Sequence, residues 1–150
     1  MVETQTVIAE SAATAKASDL VGSWSITVSE TEGLPTRMLL TLNADGTLVT
    51  AEHPVVTPPG APGPIFTSSG HGSWRTPDQE NAEFVFATLG SDGSGELFAI
   101  VTSSGMLEFS AGRNIVVGEM TATIDDPTGK RLAVFPLTLR GVRIDIQPPG

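Results

Sequence analysis

The feature that most narrows what this chain can fold into is an alternation of apolar and polar residues from Trp24 to Ile146, cut at short intervals by Gly, Pro, Asn and Asp. A period of two puts successive side chains on opposite faces of an extended chain, so it specifies strands with one buried face and not helices. In the first run, Ser23 to Glu30, Trp24, Ile26 and Val28 share a face. Further strands are expected over Thr36 to Leu42, Thr47 to about His53, Gly70 to Thr76, Glu83 to Leu89, Glu96 to about Ser110, Ile115 to Ile124 and Arg131 to Ile146. Asn43-Ala44-Asp45-Gly46 is the clearest hairpin, and Ser103-Ser104-Gly105 predicts a bulge or a break into two strands. Eight sequential strands on short turns predict an all-β fold, a single eight-stranded antiparallel up-and-down β-barrel. At eight strands the interior is either filled by side chains or holds one small ligand.

One domain is expected for 150 residues, with residues 1–20 as a flexible or helical leader and 21–150 as the barrel. The leader is rich in Ala, Thr, Ser and Glu; it can fray or form a helix from about Ile8 to Lys16, and Ser18-Asp19-Leu20-Val21 can make a helical turn that closes one end of the barrel. It lacks a basic region followed by an unbroken apolar run, so it does not read as a secretory signal, and a cytoplasmic location is expected. The chain contains no cysteine, which removes disulfides, thiolate nucleophiles and Cys-based metal sites. No stretch is long and apolar enough for a membrane-spanning helix, so no membrane insertion is expected.

Seventeen acidic residues against eight basic ones give a formal net charge of -9, the wrong sign for binding phosphate backbones. Nucleic acid is therefore not an expected partner, while neutral, apolar and cationic small molecules remain open. Pro54 to Ser69 breaks the rhythm with prolines at 54, 58, 59, 62 and 64, and is expected to be a loop outside the ladder. It carries Val55, Val56, Ile65 and Phe66, which suit either a loop pinned to the barrel's outside or a gate over its mouth. The last strands are apolar on both faces: Leu132, Val134, Val142 and Ile144 alternate with Ala133, Phe135, Leu137 and Leu139. Such a wall is expected to be covered by the leader, by the loop or by another copy in a homodimer or higher homo-oligomer.

Gly22-Ser23-Trp24 opening the first strand, with Arg140 and Arg143 in the last, resembles the calycin superfamily of lipocalin-like barrels. The resemblance implies that the Trp packs at the closed end under an Arg from the last strand, and that the interior holds an apolar or amphipathic molecule. Fold alone does not choose between binding proteins and enzymes.

No nucleophile elbow, phosphate-binding loop, zinc-protease helix or Cys-based zinc pattern is present, and there is no Tyr. No cofactor is implied. The acid-base candidates are His53 and His71, which bracket the Pro-rich loop and would meet at one rim if their strands paired end to end, and Glu119, which needs Arg37, Arg140 or Arg143 as a partner if it faces inward. Two histidines can shuttle a proton, but a metal needs a third ligand that the sequence does not supply. Trp74, Phe84, Phe86, Phe98, Met38, Met120 and Phe66 are the candidate cavity lining, with Gly72 expected to make room beside Trp74. Three functions fit: binding a small apolar molecule, a cofactor-free cyclase or isomerase that folds a flexible substrate in the same cavity, and an assembly protein with a filled barrel.

Overall fold

The structure, a computed structural model, describes residues 17–30, 34–57, 63–110 and 114–146. The expected leader helix over Ile8 to Lys16, the turn residues 31–33 and 111–113, the loop residues 58–62 and residues 147–150 lie outside the described residues. One helical turn, α1 (Ala17–Leu20), precedes ten strands: β1 (Gly22–Ser29), β2 (Thr36–Leu42), β3 (Thr47–Ala51), β4 (Val55–Val56), β5 (Ile65–Thr67), β6 (Gly70–Arg75), β7 (Asn81–Ser91), β8 (Leu97–Phe109), β9 (Ile115–Asp125) and β10 (Arg131–Arg143).

Every pairing is antiparallel, and β1 pairs with both β2 and β10 while β7 pairs with both β6 and β8. The sheet therefore closes as an eight-walled up-and-down barrel, as the alternation predicts. Ten strands make eight walls because two walls are each broken once. β4 continues the wall of β3, and β5 pairs with β7 beyond β6. Thr67 pairs with Gly90, one residue out of step with the frame set by His71 and Ala87, so residues 68 and 69 form a bulge. Ser68 fills the gap: its N–H donates to the Leu89 carbonyl and its Oγ accepts from the Leu89 N–H, both at 2.9 Å.

This corrects the expectation of a loop from Pro54 to Ser69 outside the ladder. Prolines 54 and 64 flank β4 and β5 without entering them, so no ladder hydrogen bond is lost and the strands resume. A second correction concerns Ser103-Ser104-Gly105. β8 is continuous through it and keeps register with β9, Ser103 opposite Ala122 and Gly105 opposite Met120. The glycine is needed for curvature: a Cβ on Gly105 would lie 2.0 Å from the Glu119 carbonyl oxygen, and one on Gly118 would lie 2.1 Å from that of Met106. The last strand ends at Arg143, before the expected Ile146.

Three hairpins share one turn chemistry. At Asn43, Asp92 and Asp126 the backbone N–H donates to the carbonyl four residues on, and a glycine with positive φ (Gly46, Gly95, Gly129) donates back to it. Asp45, Asp92 and Asp126 each accept from a Thr or Ser two residues along, through N–H and hydroxyl. Those bonds to the ionised form hold all three carboxyls below the usual range.

One end of the barrel is sealed. Trp24 is 0% exposed, its Nε1 donates to the Leu20 carbonyl at 3.0 Å, and the Arg143 guanidinium carbon lies 4.3 Å from its ring centroid. Arg143 also donates to the carbonyls of Val21 and Asp19, which pins α1 across the end. Gly22 has φ of 132°, and a Cβ there would touch Arg143 Nη1 at 3.0 Å, so the residue before Ser23-Trp24 must be small. Arg140, three residues before Arg143 in the last strand, points outward and is exposed. On that outer wall Leu132, Val134 and Val142 are half-exposed, and no described segment covers them.

Replacing Trp24 by Ala should lower the unfolding free energy by about 3–5 kcal/mol, and Arg143→Ala by about 2 kcal/mol through its lost carbonyl bonds and ring contact, read from urea unfolding midpoints. The lowered carboxyl pKa values make the turn contribution present above the unfolded aspartate value, about 3.9, and lost as pH falls through the folded ones. Melting temperatures should therefore hold from neutral pH to about 4.5 and fall below it.

Candidate functional site

Up-and-down connectivity sends alternate loops to opposite ends. The sealed end carries α1 and the hairpin at Asn43; the other end carries the connections after β1, β4, β7 and β9. At that second end the interior is hollow. A cavity of about 360 Å³ opens there, lined deep inside by Met38, Thr88, Val101, Ser103, Met120, Ala122 and Leu137, higher up by Val28, Ile65, Ile124 and Phe135, and at the mouth by Glu30, Leu34, Glu52, His53, Val55, Thr57 and Thr67. The volume falls in the range of small-molecule sites, and the lining is mainly apolar with polar groups concentrated at the rim.

The hollow follows from where side-chain volume lies along the axis. Trp24, Trp74, Phe84 and Phe86 all pack in the sealed half. Trp74 Nε1 donates to the Asn43 carbonyl at 2.9 Å, in the sealed-end hairpin, and Phe84 stacks on Phe86 at 6.0 Å. Gly72 makes room for the neighbouring strand and not for a ligand, since a Cβ would lie 1.9 Å from the Val85 carbonyl oxygen.

Of the residues expected to line a cavity, Met38 and Met120 do so. Trp74, Phe84 and Phe86 are core side chains below it. Phe98 sits against a separate shallow depression with Pro64, Ile65 and Asp92, and Phe66 is exposed on the outside of β5. The Pro-rich segment supplies rim residues Val55, Thr57 and Thr67 and, inside the mouth, Ile65, so its described part is wall.

The acid-base candidates are dispersed. Glu119 is exposed on the outer face of β9, opposite Met106 and Thr138 and away from the cavity. His71 also faces outward, opposite Val49 and Ala87, with Nε2 3.2 Å from Ser69 Oγ. His53 lies at the mouth, beyond the end of β3. The two histidines thus do not share a rim, because β3 and β6 pair as Val49 with His71 and Thr50 with Gly70, and not at the strand ends. Among the described residues no three His, Asp or Glu side chains converge as metal ligands.

The residue missing from the sequence candidates is Glu52. Leu48 and Thr50 face inward on β3, and Glu52, two further on, keeps that face and reaches the cavity half-buried. Burial pushes its carboxyl pKa up, and His53 beside it pulls part of the way back. Parity from Leu48 and Thr50 was a readable signal for it. One strand position deeper, the Thr50 hydroxyl is buried with no hydrogen-bond partner.

No protein-family model matches the chain, and no curated protein matches it. Solved structures similar in outline include a redesigned β-barrel, at 16% identity over 86% of this chain and 95% of that one with a TM-score of 0.45. Another is EF1p2_mFAP2b bound to DFHBI, at 16% identity over 85% of this chain and 96% of that one with a TM-score of 0.49. Both are too distant to carry a site residue across, so the chemistry of the cavity rests on this chain's own side chains.

Because the folded pKa of Glu52 lies above its unfolded value, its charge opposes folding above the folded pKa, and that cost vanishes below the unfolded one. Glu52→Gln should accordingly raise the melting temperature at pH 8 by about 2 °C and leave it unchanged near pH 4, measured by circular dichroism.

Proposed function

We propose that this protein binds a small apolar or amphipathic molecule in the open-ended cavity, with its apolar body against Met38, Met120, Ala122 and Leu137. The observation that carries this reading is a hollow of about 360 Å³ at one end of a barrel whose other end is sealed. A packed interior has few voids larger than a water molecule. A space of this size with an apolar lining gains from displacing its water with an apolar ligand.

The Trp24 and Arg143 closure supports a calycin-like reading of the barrel, since this is the arrangement that the resemblance implies. A cofactor-free cyclase or isomerase would use the same space, and Glu52, an acid-base group held at its mouth, favours that second reading. Mass spectrometry of the bound fraction separates the two: binding returns the compound unchanged, and catalysis returns an isomer or a product.

The test is titration with N-phenyl-naphthylamine, a neutral dye that brightens in apolar sites. Wild type should bind it at low micromolar concentration, on the order of -8 kcal/mol. Ala122→Trp, which fills the cavity from β9, should weaken binding at least tenfold without lowering the melting temperature. Equal binding by the two proteins, or none by wild type, would overturn the proposal.

A further inference from the structure

We infer that the cavity selects an apolar cation, a primary or secondary ammonium on an aliphatic or aromatic body, with Glu52 as its counter-ion. This rests on the cavity's being a binding site and adds the class of ligand it takes.

The inference starts from the position of Glu52. It is the inward continuation of β3, half-buried, and it borders a mainly apolar hollow. Among the described residues it has neither an ion pair nor a side-chain hydrogen bond. A carboxylate held in that way opposes folding, and an opposite charge brought by a ligand relieves it.

Neighbouring cations do not fill the role. Arg37 borders the mouth, but its Nη1 donates to Ser25 Oγ at 3.0 Å, and Ser25 lies on the outer face between Val142 and Leu39. Arg131, at the start of β10, holds Asp125 Oδ1 at 3.1 Å. Lys130 is exposed in the β9–β10 turn, where its charge helps to lower the Asp126 carboxyl pKa, and it makes no ion pair with Glu52. His53 is exposed at the rim and offsets only part of the burial penalty on Glu52.

The connections at this end carry more acid than base, the β9–β10 turn pairing Asp126 with Lys130. Glu30 lines the mouth, and the β7–β8 turn carries Asp92 and Glu96. The β4–β5 connection, from Thr57 to Pro64, is without charge. With a net charge of -9, the field at the mouth draws cations in and turns carboxylates away.

A matched series of octylammonium, octanol and octanoate tests this by competition against N-phenyl-naphthylamine at pH 7.5. The three share a body and differ in the head group. Octylammonium should displace the dye with an affinity about tenfold higher than octanol, the range of one charge-assisted contact, and octanoate should be weakest. In Glu52→Gln the ratio of ammonium to alcohol affinity should fall to near one, while Glu30→Gln should retain most of it.

Equal displacement by ammonium and alcohol in wild type would overturn the cation assignment and leave the cavity reading intact. Loss of the preference in Glu30→Gln and its survival in Glu52→Gln would overturn the choice of counter-ion. Failure of all three to displace a bound dye would remove the assignment, and failure of the dye itself to bind would remove the cavity reading beneath it.

Discussion

The contact between the Arg143 guanidinium and the Trp24 ring decides which end of this barrel can be empty. It joins the first strand to the last, where closure is made, and draws α1 across the opening through the Val21 and Asp19 carbonyls. With that end plugged by Trp24, the side chains of Trp74, Phe84 and Phe86 pack onto the plug and fill the sealed half. The inward positions beyond them are modest in size, among them Thr88, Val101, Ser103 and Ala122. Eight strands enclose more width than these can fill, so the hollow follows from an uneven distribution of side-chain volume along one axis.

Much of the fold was legible because alternation reports directly on strands. The wall count, the antiparallel order and the hairpin at Asn43 all follow from period two and turn chemistry. Parity, however, tells which face a side chain takes and says nothing of its height. Trp74, Phe84 and Phe86 do face inward, but the stagger of the strands places them below the hollow, and stagger belongs to the assembled sheet. The same limit separates His53 from His71. The register of β3 on β6 leaves one at the rim and the other on the outside wall, although both flank the same loop in sequence.

Glu52 shows the opposite case, a residue the pattern could have marked. The β3 ladder ends at Ala51, and Pro54 interrupts the wall before β4. Proline suggests a loop, yet here it flanks a short resumption of the sheet, and the inward parity of Leu48 and Thr50 carries across to Glu52. For β10, apolar on both faces, composition could not distinguish inside from outside. The inward set is Ala133, Phe135, Leu137 and Leu139, and the outward set of Leu132, Val134 and Val142 stays half-exposed.

The seal also determines how the molecule can be held. β1 begins and β10 ends side by side, with Trp24 opposite Arg143 and the Ile144 N–H donating to the Ser23 carbonyl at 2.8 Å. Both flanks of the barrel therefore leave from its plugged end, a full strand length from the mouth. A tether at either flank, whether a fused domain, a surface or a neighbouring barrel in a linear chain, would anchor the molecule by its base and leave its mouth facing the solution.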